Sequence, residues 1–203
     1  MLIPLTAVIR RTRYVYNSID PQIEHLTANV ASCKEGCAAC CYQIVGMTFA
    51  EAITIADFLV HRGETDTSVL DAASENTVRI DDLHKKCPFL TPGDISWSGR
   101  CRIYPARPLA CRLHFVTNDP VDCAPPCDRP IQLLDAKDTH KEAIKIIACD
   151  DDLLSVYGPL PQFVAHAVRC LLGQTKPNLI DLWNWGRRLS KALERKKELS
   201  VVA

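Results

Sequence analysis

Residues 33–41 read Cys33-Lys34-Glu35-Gly36-Cys37-Ala38-Ala39-Cys40-Cys41, which places four thiols within nine residues. No ordinary requirement of folding concentrates sulfur in this way. Thiolates are soft, strongly donating ligands, and the Cys-x-x-Cys spacing lets two of them reach one metal from a tight turn. Three further cysteines follow in ordered contexts, at Cys87, Cys101 and Cys111. The stretch therefore predicts a thiolate metal site around which much of the chain is organised.

The composition is that of a soluble protein with a core of its own. The chain has 203 residues, of which 47% are hydrophobic, enough for one domain or one domain with a helical appendage. Its 24 basic and 24 acidic residues cancel, so no net charge draws it toward nucleic acid or an anionic membrane. No stretch approaches the roughly 20 apolar residues that span a bilayer. We therefore expect neither a nucleic-acid nor a membrane partner; the partner, a protein or a small molecule, and the oligomeric state stay open.

The eleven cysteines do not fit a disulfide framework. Their number is odd, and residues 1–8 are too short an apolar stretch for a signal peptide. The adjacent Cys40 and Cys41 are poor mutual partners, because a disulfide requires a specific separation of the two Cα atoms. We expect a reducing, cytoplasmic location, where clustered cysteines usually serve metal or redox chemistry.

Helical patterns flank the first cysteine cluster. Asp20-Pro21 predicts an N-cap with proline at the first helical position, so a helix would begin there and lead into the cluster. Thr48-Phe-Ala-Glu51 is a capping-box pattern, followed by apolar residues at helical spacing up to Gly63. The cluster is therefore expected in a loop between two helices.

The rest of the chain divides into an irregular and a helical part. Residues 67–85 predict a further helix, and residues 87–130 are rich in proline, with at most a short β-ribbon around residues 97–104. Thr139-His-Lys-Glu142 predicts a second capping box, and helices are expected at about residues 159–172 and 177–197. The expected fold is mainly α, a small helical domain with an irregular cysteine-rich loop region organised by metal. Its parts are a helical segment at 1–32, a metal-binding region at 33–130 and C-terminal helices at 131–203.

In order, the thiols form Cys-x3-Cys-x2-Cys-Cys, then Cys87-Pro-Phe-Leu, then Gly-x-Cys101-x-Ile-Tyr-x-x-Arg-Pro-x-x-Cys111-Arg. This series resembles the YkgJ-type cysteine-cluster family of zinc- or iron-chelating domains over roughly residues 30–130. Glu51-Ala-x-x-Ile-Ala56 is similar to the helix that follows the cluster in that family. One departure is the first spacing, three residues here where the family pattern has two, which makes Cys33 the least certain of the matched cysteines.

The resemblance implies metal binding by the matched cysteines, and flagellin lysine methylases carry a similar cluster region. An iron–sulfur centre, with 4Fe-4S favoured, is the cofactor it implies, and zinc is the alternative. A structural zinc takes four ligands and a cubane cluster takes three or four cysteines, so one centre with spare thiols or two centres would both fit. The candidate metal ligands are Cys33, Cys37, Cys40, Cys41, Cys87, Cys101, Cys111, Cys123 and Cys127. For Cys123 and Cys127 the spacing permits chelation, and a redox pair or unligated thiols are the alternatives.

Several other residues admit two interpretations. Arg107 and Arg112 are candidate cofactor-binding residues that would offset thiolate charge or bind an anion; the alternative is a structural ion pair or a clamp on backbone carbonyls. A lone histidine is usually a packing residue, so His84 and His114 are weaker ligand candidates. Cys149 and Cys170 lie in helical patterns and are interpreted as small hydrophobic residues.

The function indicated is therefore a metal-binding protein with an iron–sulfur or iron centre and a redox or group-transfer role. The first alternative is a zinc-stapled interaction module. The second is a methyltransferase or an enzyme like the radical S-adenosylmethionine enzymes, because Cys33-x3-Cys37-x2-Cys40 matches their three-cysteine signature. The repeated βα units of such enzymes are not indicated here. The sequence identifies no catalytic residue.

Overall fold

The computed structural model describes residues 4–28, 30–33, 36–75, 86–94, 97–123 and 131–202. Within them the chain is mainly helical, as predicted. The longer helices are α1 (Leu5–Thr27), α2 (Phe49–His61), α3 (Ser68–Glu75), α5 (Lys137–Ala148), α7 (Leu160–Leu171) and α8 (Leu179–Val202). Two single turns, α4 (Leu109–Arg112) and α6 (Asp152–Ser155), complete the helical part. No helix among the described residues has the length and apolar character needed to cross a membrane.

The core is built around α2, which packs chiefly on α7 and α1. Nine of its thirteen residues are buried, including Phe49, Ile53 and Ile55. Phe49 meets Phe163 of α7 edge to face, with ring centroids 5.9 Å apart. An edge-to-face pair adds about 1 kcal/mol to the burial of the two rings. The helix that follows the cysteine cluster is thus a fixed element of the core.

Two short antiparallel pairs hold the helices and loops together. Strand β1 (Gly46–Thr48) pairs with β4 (Tyr157–Pro159) and so joins the starts of α2 and α7. A Cβ on Gly158 would lie 2.3 Å from Cε1 of Phe163, so only glycine fits there. Strand β2 (Leu90–Pro92) pairs with β3 (Gly99–Cys101). A short ribbon was expected in this region, but its first strand begins at Leu90, before the predicted residues 97–104.

The helix boundaries confirm one capping prediction and correct two. Thr48 and Glu51 form the predicted capping box of α2. Helix α1, however, begins at Leu5 and runs through Pro21, so Asp20-Pro21 is not a start. Proline inside a helix costs about 3 kcal/mol, which is offset because Val8, Val15, Ile19 and Ile23 are all buried on one face.

Helix α5 begins at Lys137, with Ala136 at its N-cap position and no side-chain cap. The prediction of a capping box at Thr139 was therefore wrong, because Thr139 lies inside the first turn. Gly63 and Gly173, with φ of 72° and 70°, follow α2 and α7 as predicted. Helix α3 occupies 68–75 of the predicted 67–85, and residues 76–85 lie outside the described residues.

Candidate metal centre

The first cysteine segment lies in the connection between α1 and α2. It is anchored by the N–H of Ser32, which donates to the carbonyl oxygen of Val116 at 2.8 Å. Gly36, with φ 83°, has the left-handed backbone that glycine adopts without strain, and its carbonyl accepts from Gly99 N–H at 2.9 Å. Cys40 and Cys41 then follow in a single 3₁₀ turn, Ala39–Tyr42.

The ribbon brings two more thiols to this segment. Leu90 and Cys101 are paired residues of β2 and β3, and Cys87 precedes β2 by three residues. The N–H of Cys87 donates to the carbonyl oxygen of Cys41 at 2.7 Å. Cys37 forms an isolated antiparallel bridge with Ser98 at the end of the ribbon. Backbone hydrogen bonds therefore join the first segment to the ribbon at two points.

Cys111 is carried by the short helix α4, whose position is set from the core. Oε1 of Glu51 accepts the N–H of Leu109, the first residue of α4, at 2.7 Å. Glu51 is 1% exposed and also accepts from the hydroxyl of Tyr16 at 3.2 Å. Through Glu51, helices α1 and α2 both determine where Cys111 lies.

Cys123 ends the 3₁₀ turn Pro120–Cys123 and is 4% exposed. Its carbonyl oxygen accepts from Nε2 of Gln43 at 2.6 Å, which brings it beside the first segment. The Nε2 of His114 lies 3.9 Å from its Sγ. Cys123 was a candidate ligand and His114 a weaker one, and the fold places both beside the first cysteine segment.

The environment of the thiols raises their pKa values. Burial raises the pKa of Cys87 to about 12, with a further contribution from the charges of Cys101 and Cys40. Burial likewise raises the pKa of Cys123 to about 12, helped by Cys40, Cys33 and Cys37. The hydrogen bond with Cys41, then burial, raises the pKa of Cys40 strongly. Because desolvation and mutual repulsion both oppose thiolate formation, a bound cation would reverse the balance and favour it.

The two arginines lie in different surroundings. Arg112 is 2% exposed, and its Nη1 donates to the carboxylate of Asp20. Its Nε donates to the carbonyl oxygen of Arg107 at 2.8 Å, and its Nη2 donates to the carbonyl oxygen of Pro105. Its guanidinium lies 3.9 Å from the centre of the Tyr16 ring. Arg112 thus has the ion pair and carbonyl clamp that were the alternative to cofactor binding.

Arg107 faces the thiols. Its guanidinium covers the Tyr104 ring at 4.1 Å, and its buried Nε has no hydrogen-bond partner among the described residues. Although burial raises the pKa values of Cys101 and Cys111, the positive charge of Arg107 acts in the opposite direction on both. Arg107 is therefore the cation that partly offsets thiolate charge in this region.

Eight of the nine predicted ligands are described and gather in one region: Cys33, Cys37, Cys40, Cys41, Cys87, Cys101, Cys111 and Cys123. The remaining candidate, Cys127, and His84 lie outside the described residues. Cys170 packs on the core from α7, as predicted. Cys149, interpreted as a small hydrophobic residue of a helix, is instead exposed and ends α5 in the left-handed conformation with φ 53°.

The residue types fit a metal site, because cysteine thiolates are good metal ligands. The sulfur atoms, however, do not stand where a complete set of ligands around one metal would place them. As the side chains stand, no three His, Cys, Asp or Glu residues of the described segments are arranged to hold a metal ion. A cysteine Sγ moves on a single side-chain torsion between staggered positions, so its place depends on the rotamer as well as on the backbone. Thiolates gathered from four chain segments are ligands that both zinc and iron–sulfur clusters accept.

Sequence reasoning missed Glu51 and Trp97 as residues that shape this region. Glu51 was recognised only as part of a capping box, because its partner Leu109 is 58 residues away. Trp97 has φ 62°, its carbonyl accepts from Ala38 N–H at 2.7 Å, and its ring meets Tyr42 edge to face at 4.9 Å. A left-handed backbone at a tryptophan has no local sequence signal.

Comparison with known proteins identifies a family for the chain. The model of the CxxCxxCC family, whose description reads "Putative zinc- or iron-chelating domain", matches residues 32–148. The matched range contains all nine candidate cysteines and both arginines. No curated protein and no solved structure is significantly similar to the chain.

Proposed function

The chain belongs to the CxxCxxCC family of zinc- or iron-chelating domains, and from this premise we propose that it binds an iron–sulfur centre through the clustered cysteines. The observation that carries the proposal is the gathering of thiols around Cys40, whose side chain is hydrogen-bonded to that of Cys41. Cys33, Cys87, Cys101, Cys111 and Cys123 all lie within electrostatic range of it. When bound, the centre would supply one-electron chemistry or an open iron for a ligand.

Iron–sulfur is favoured over a single zinc because of the number and placement of the thiols. One structural zinc is saturated by four ligands. Eight buried or half-buried thiols are twice that number, so a single zinc would leave four of them without a metal. A cluster carries net negative charge with its thiolates, and Arg107 is placed to offset part of it. A nearby cation of this kind raises the reduction potential of such a centre.

The second candidate is the zinc-stapled interaction module, which the small amount of regular structure in the cysteine region favours. Between Cys87 and Cys123 the described regular structure consists only of β2, β3, α4 and 3₁₀ turns, so this stretch has little regular structure of its own. A metal that joins it to the segment at 33–41 would supply stability outright. An enzyme of the radical S-adenosylmethionine type is less well supported, because the strands in the described residues form two-stranded antiparallel pairs and no βα repeat.

The test is metal analysis of protein purified without oxygen, together with its visible absorption. Iron with matching sulfide and a broad brown absorption supports the iron–sulfur proposal. Stoichiometric zinc without colour supports the stapled module. Protein that holds neither metal, even after reconstitution with iron and sulfide or with zinc, contradicts both.

A matched pair of variants separates the site from general effects of thiol loss. Cys37→Ser with Cys40→Ser removes two thiols at the centre of the cluster and should lower metal uptake by at least half. Cys149→Ser with Cys170→Ala removes two thiols away from the cluster and should leave metal content unchanged. Full metal content in the first variant would contradict the proposal.

A further inference from the structure

We infer that His114 is a metal ligand beside Cys123, so that the centre has one nitrogen donor among its thiolates. The inference rests on the proposed function, because it names a ligand of the metal proposed there. A mixed set of this kind suits both metals: structural zinc is held by three cysteines and a histidine in many sites, and histidine replaces cysteine on one iron of some iron–sulfur clusters. The inference therefore holds whichever metal is bound.

The distance between the two side chains is close to that between two ligands of one metal. Nε2 of His114 lies 3.9 Å from Sγ of Cys123. A tetrahedral zinc holds nitrogen at about 2.0–2.1 Å and sulfur at about 2.3 Å, which places the two donor atoms about 3.5 Å apart. The ring of His114 makes no other hydrogen bond or ion pair with a described residue. Within the described part of the chain, nothing therefore competes with a metal for this nitrogen.

The backbone that follows His114 explains why its side chain faces the thiols. Residues 115–117 are extended, because they pair with residues 132–134 through antiparallel hydrogen bonds. Side chains two residues apart in an extended chain lie on the same face. Val116 is buried in the small apolar cluster that contains Cys123, and its N–H lies 3.5 Å from Sγ of Cys33. His114, two residues earlier, lies on the same face and meets Cys123 there.

The remaining ligands for a metal at this position are available in the same apolar cluster. Its other cysteines are Cys33, Cys37 and Cys40. Cys123 is fixed beside them, because its carbonyl oxygen accepts from Nε2 of Gln43 at 2.6 Å. A tetrahedral metal bound by His114 and Cys123 needs two more ligands, and the cluster offers three thiols.

X-ray absorption of the reduced, zinc-loaded full chain tests the inference, with measurement at the iron edge if iron is the metal taken up. For zinc we expect a nitrogen donor at about 2.0–2.1 Å, with the outer-shell scattering of an imidazole ring, besides sulfur at about 2.3 Å. In His114→Ala the imidazole signal should disappear. Zinc affinity should fall by more than about tenfold, the lower end of what loss of a residue in the outer shell costs. His114→Cys should restore the affinity with sulfur donors alone.

Rescue by cysteine distinguishes a ligand from a packing residue, because a thiol can replace an imidazole on a metal but does not replace its shape. The control is His25→Ala, at an exposed position of α1, which should change neither the spectrum nor the affinity. Metal-loaded wild type with sulfur donors alone overturns the inference, and this spectrum requires no variant to fold. A His114→Ala variant that keeps the imidazole signal or the full affinity overturns it as well. Wild-type protein that binds neither zinc nor iron contradicts the proposed function itself, so the two failures are distinguishable.

Discussion

The carboxylate of Glu51 accepts the backbone N–H of Leu109 at 2.7 Å, two residues before Cys111. The same side chain caps α2 through the N–H and the hydroxyl of Thr48, both at 2.9 Å. One buried carboxylate therefore fixes both the start of the central helix and the place of a candidate ligand. The side chain of Glu51 therefore connects the cysteine region to the core.

Replacing Glu51 should destabilise the fold, because the groups that donate hydrogen bonds to it would be left without an acceptor. In Glu51→Ala, the N–H of Leu109, the hydroxyl of Tyr16 and the cap of α2 lose their acceptor, at about 1–3 kcal/mol for each buried group left unsatisfied. Glu51→Gln keeps an acceptor oxygen and should lose less. Denaturant unfolding at neutral pH measures both. Equal stability of Glu51→Ala and wild type would show that these bonds do not contribute.

The clamp around Arg112 predicts that lysine cannot replace it. Its guanidinium serves Asp20 and two backbone carbonyls while lying over the Tyr16 ring. A lysine ammonium is a single point charge that cannot bond all of these acceptors in the same plane. We expect Arg112→Lys to lower the free energy of unfolding by about 2 kcal/mol. Arg188→Lys, at an exposed position of α8, is the control and should be neutral.

His166 should make the protein less stable in mild acid. Burial lowers its pKa, the charge of Asp181 raises it in part, and that of Arg169 lowers it again. Its ring lies against Phe49 and Trp185, and its Nε2 has no hydrogen-bond partner among the described residues. Because the folded pKa lies below the unfolded value, the unfolded chain takes up protons first as the pH falls below about 6.5, and stability is lost there.

The free energy of unfolding, measured at about pH 7.5 and about pH 5.5, checks this sign. We expect a decrease at the lower pH that is smaller in His166→Phe. Part of the decrease should remain in that variant, because burial also lowers the pKa of His114. An unchanged pH dependence in His166→Phe would contradict the assignment.

Gly186 allows α8 to lie directly on β4. A Cβ at this position would lie 2.5 Å from the carbonyl oxygen of Tyr157, a backbone atom that cannot move aside as a side chain can. Gly186→Ala should therefore destabilise the protein by about 1–3 kcal/mol, although alanine favours the helix by about 1 kcal/mol. Ser190→Ala, at an exposed position of the same helix, should be neutral or slightly stabilising. Thermal unfolding of the two variants gives the comparison.

Cys149 ends α5 in the left-handed conformation, with φ 53°, and its N–H donates to the carbonyl of Lys145. Glycine adopts this backbone without a Cβ penalty, so Cys149→Gly should stabilise the protein by about 0.5–1 kcal/mol. Metal content should not change. A loss of stability would mean that the cysteine side chain has a role that its exposure does not suggest.

The sequence predicted those parts of the fold that depend on local patterns. The capping box at Thr48 and Glu51, the stop at Gly63 and the helical C-terminal part follow from interactions within a few residues, and the structure confirms them. The start of α1 was predicted wrongly at Asp20-Pro21, because burial of the helix face outweighs the local cost of proline. The cap at Thr139 was also wrong, since α5 begins two residues earlier, at Lys137, with no side-chain cap.

The candidate site, like the fold, could be predicted from the sequence only in part. Spacing along the chain is enough to identify the cysteines as a set and to indicate their chemistry, because thiolate ligands are recognisable by residue type. It cannot tell which of them meet, since Cys41 and Cys87, or Cys33 and Val116, are joined only by the folded backbone. Nor can it separate Arg112 in its clamp from Arg107 beside the thiols, because both occur in the same short motif. By itself, then, the sequence determined the mainly helical class and the thiolate character of the site. Only the tertiary structure decided the grouping of the thiols and the anchoring role of Glu51, because both depend on contacts between residues far apart in the chain.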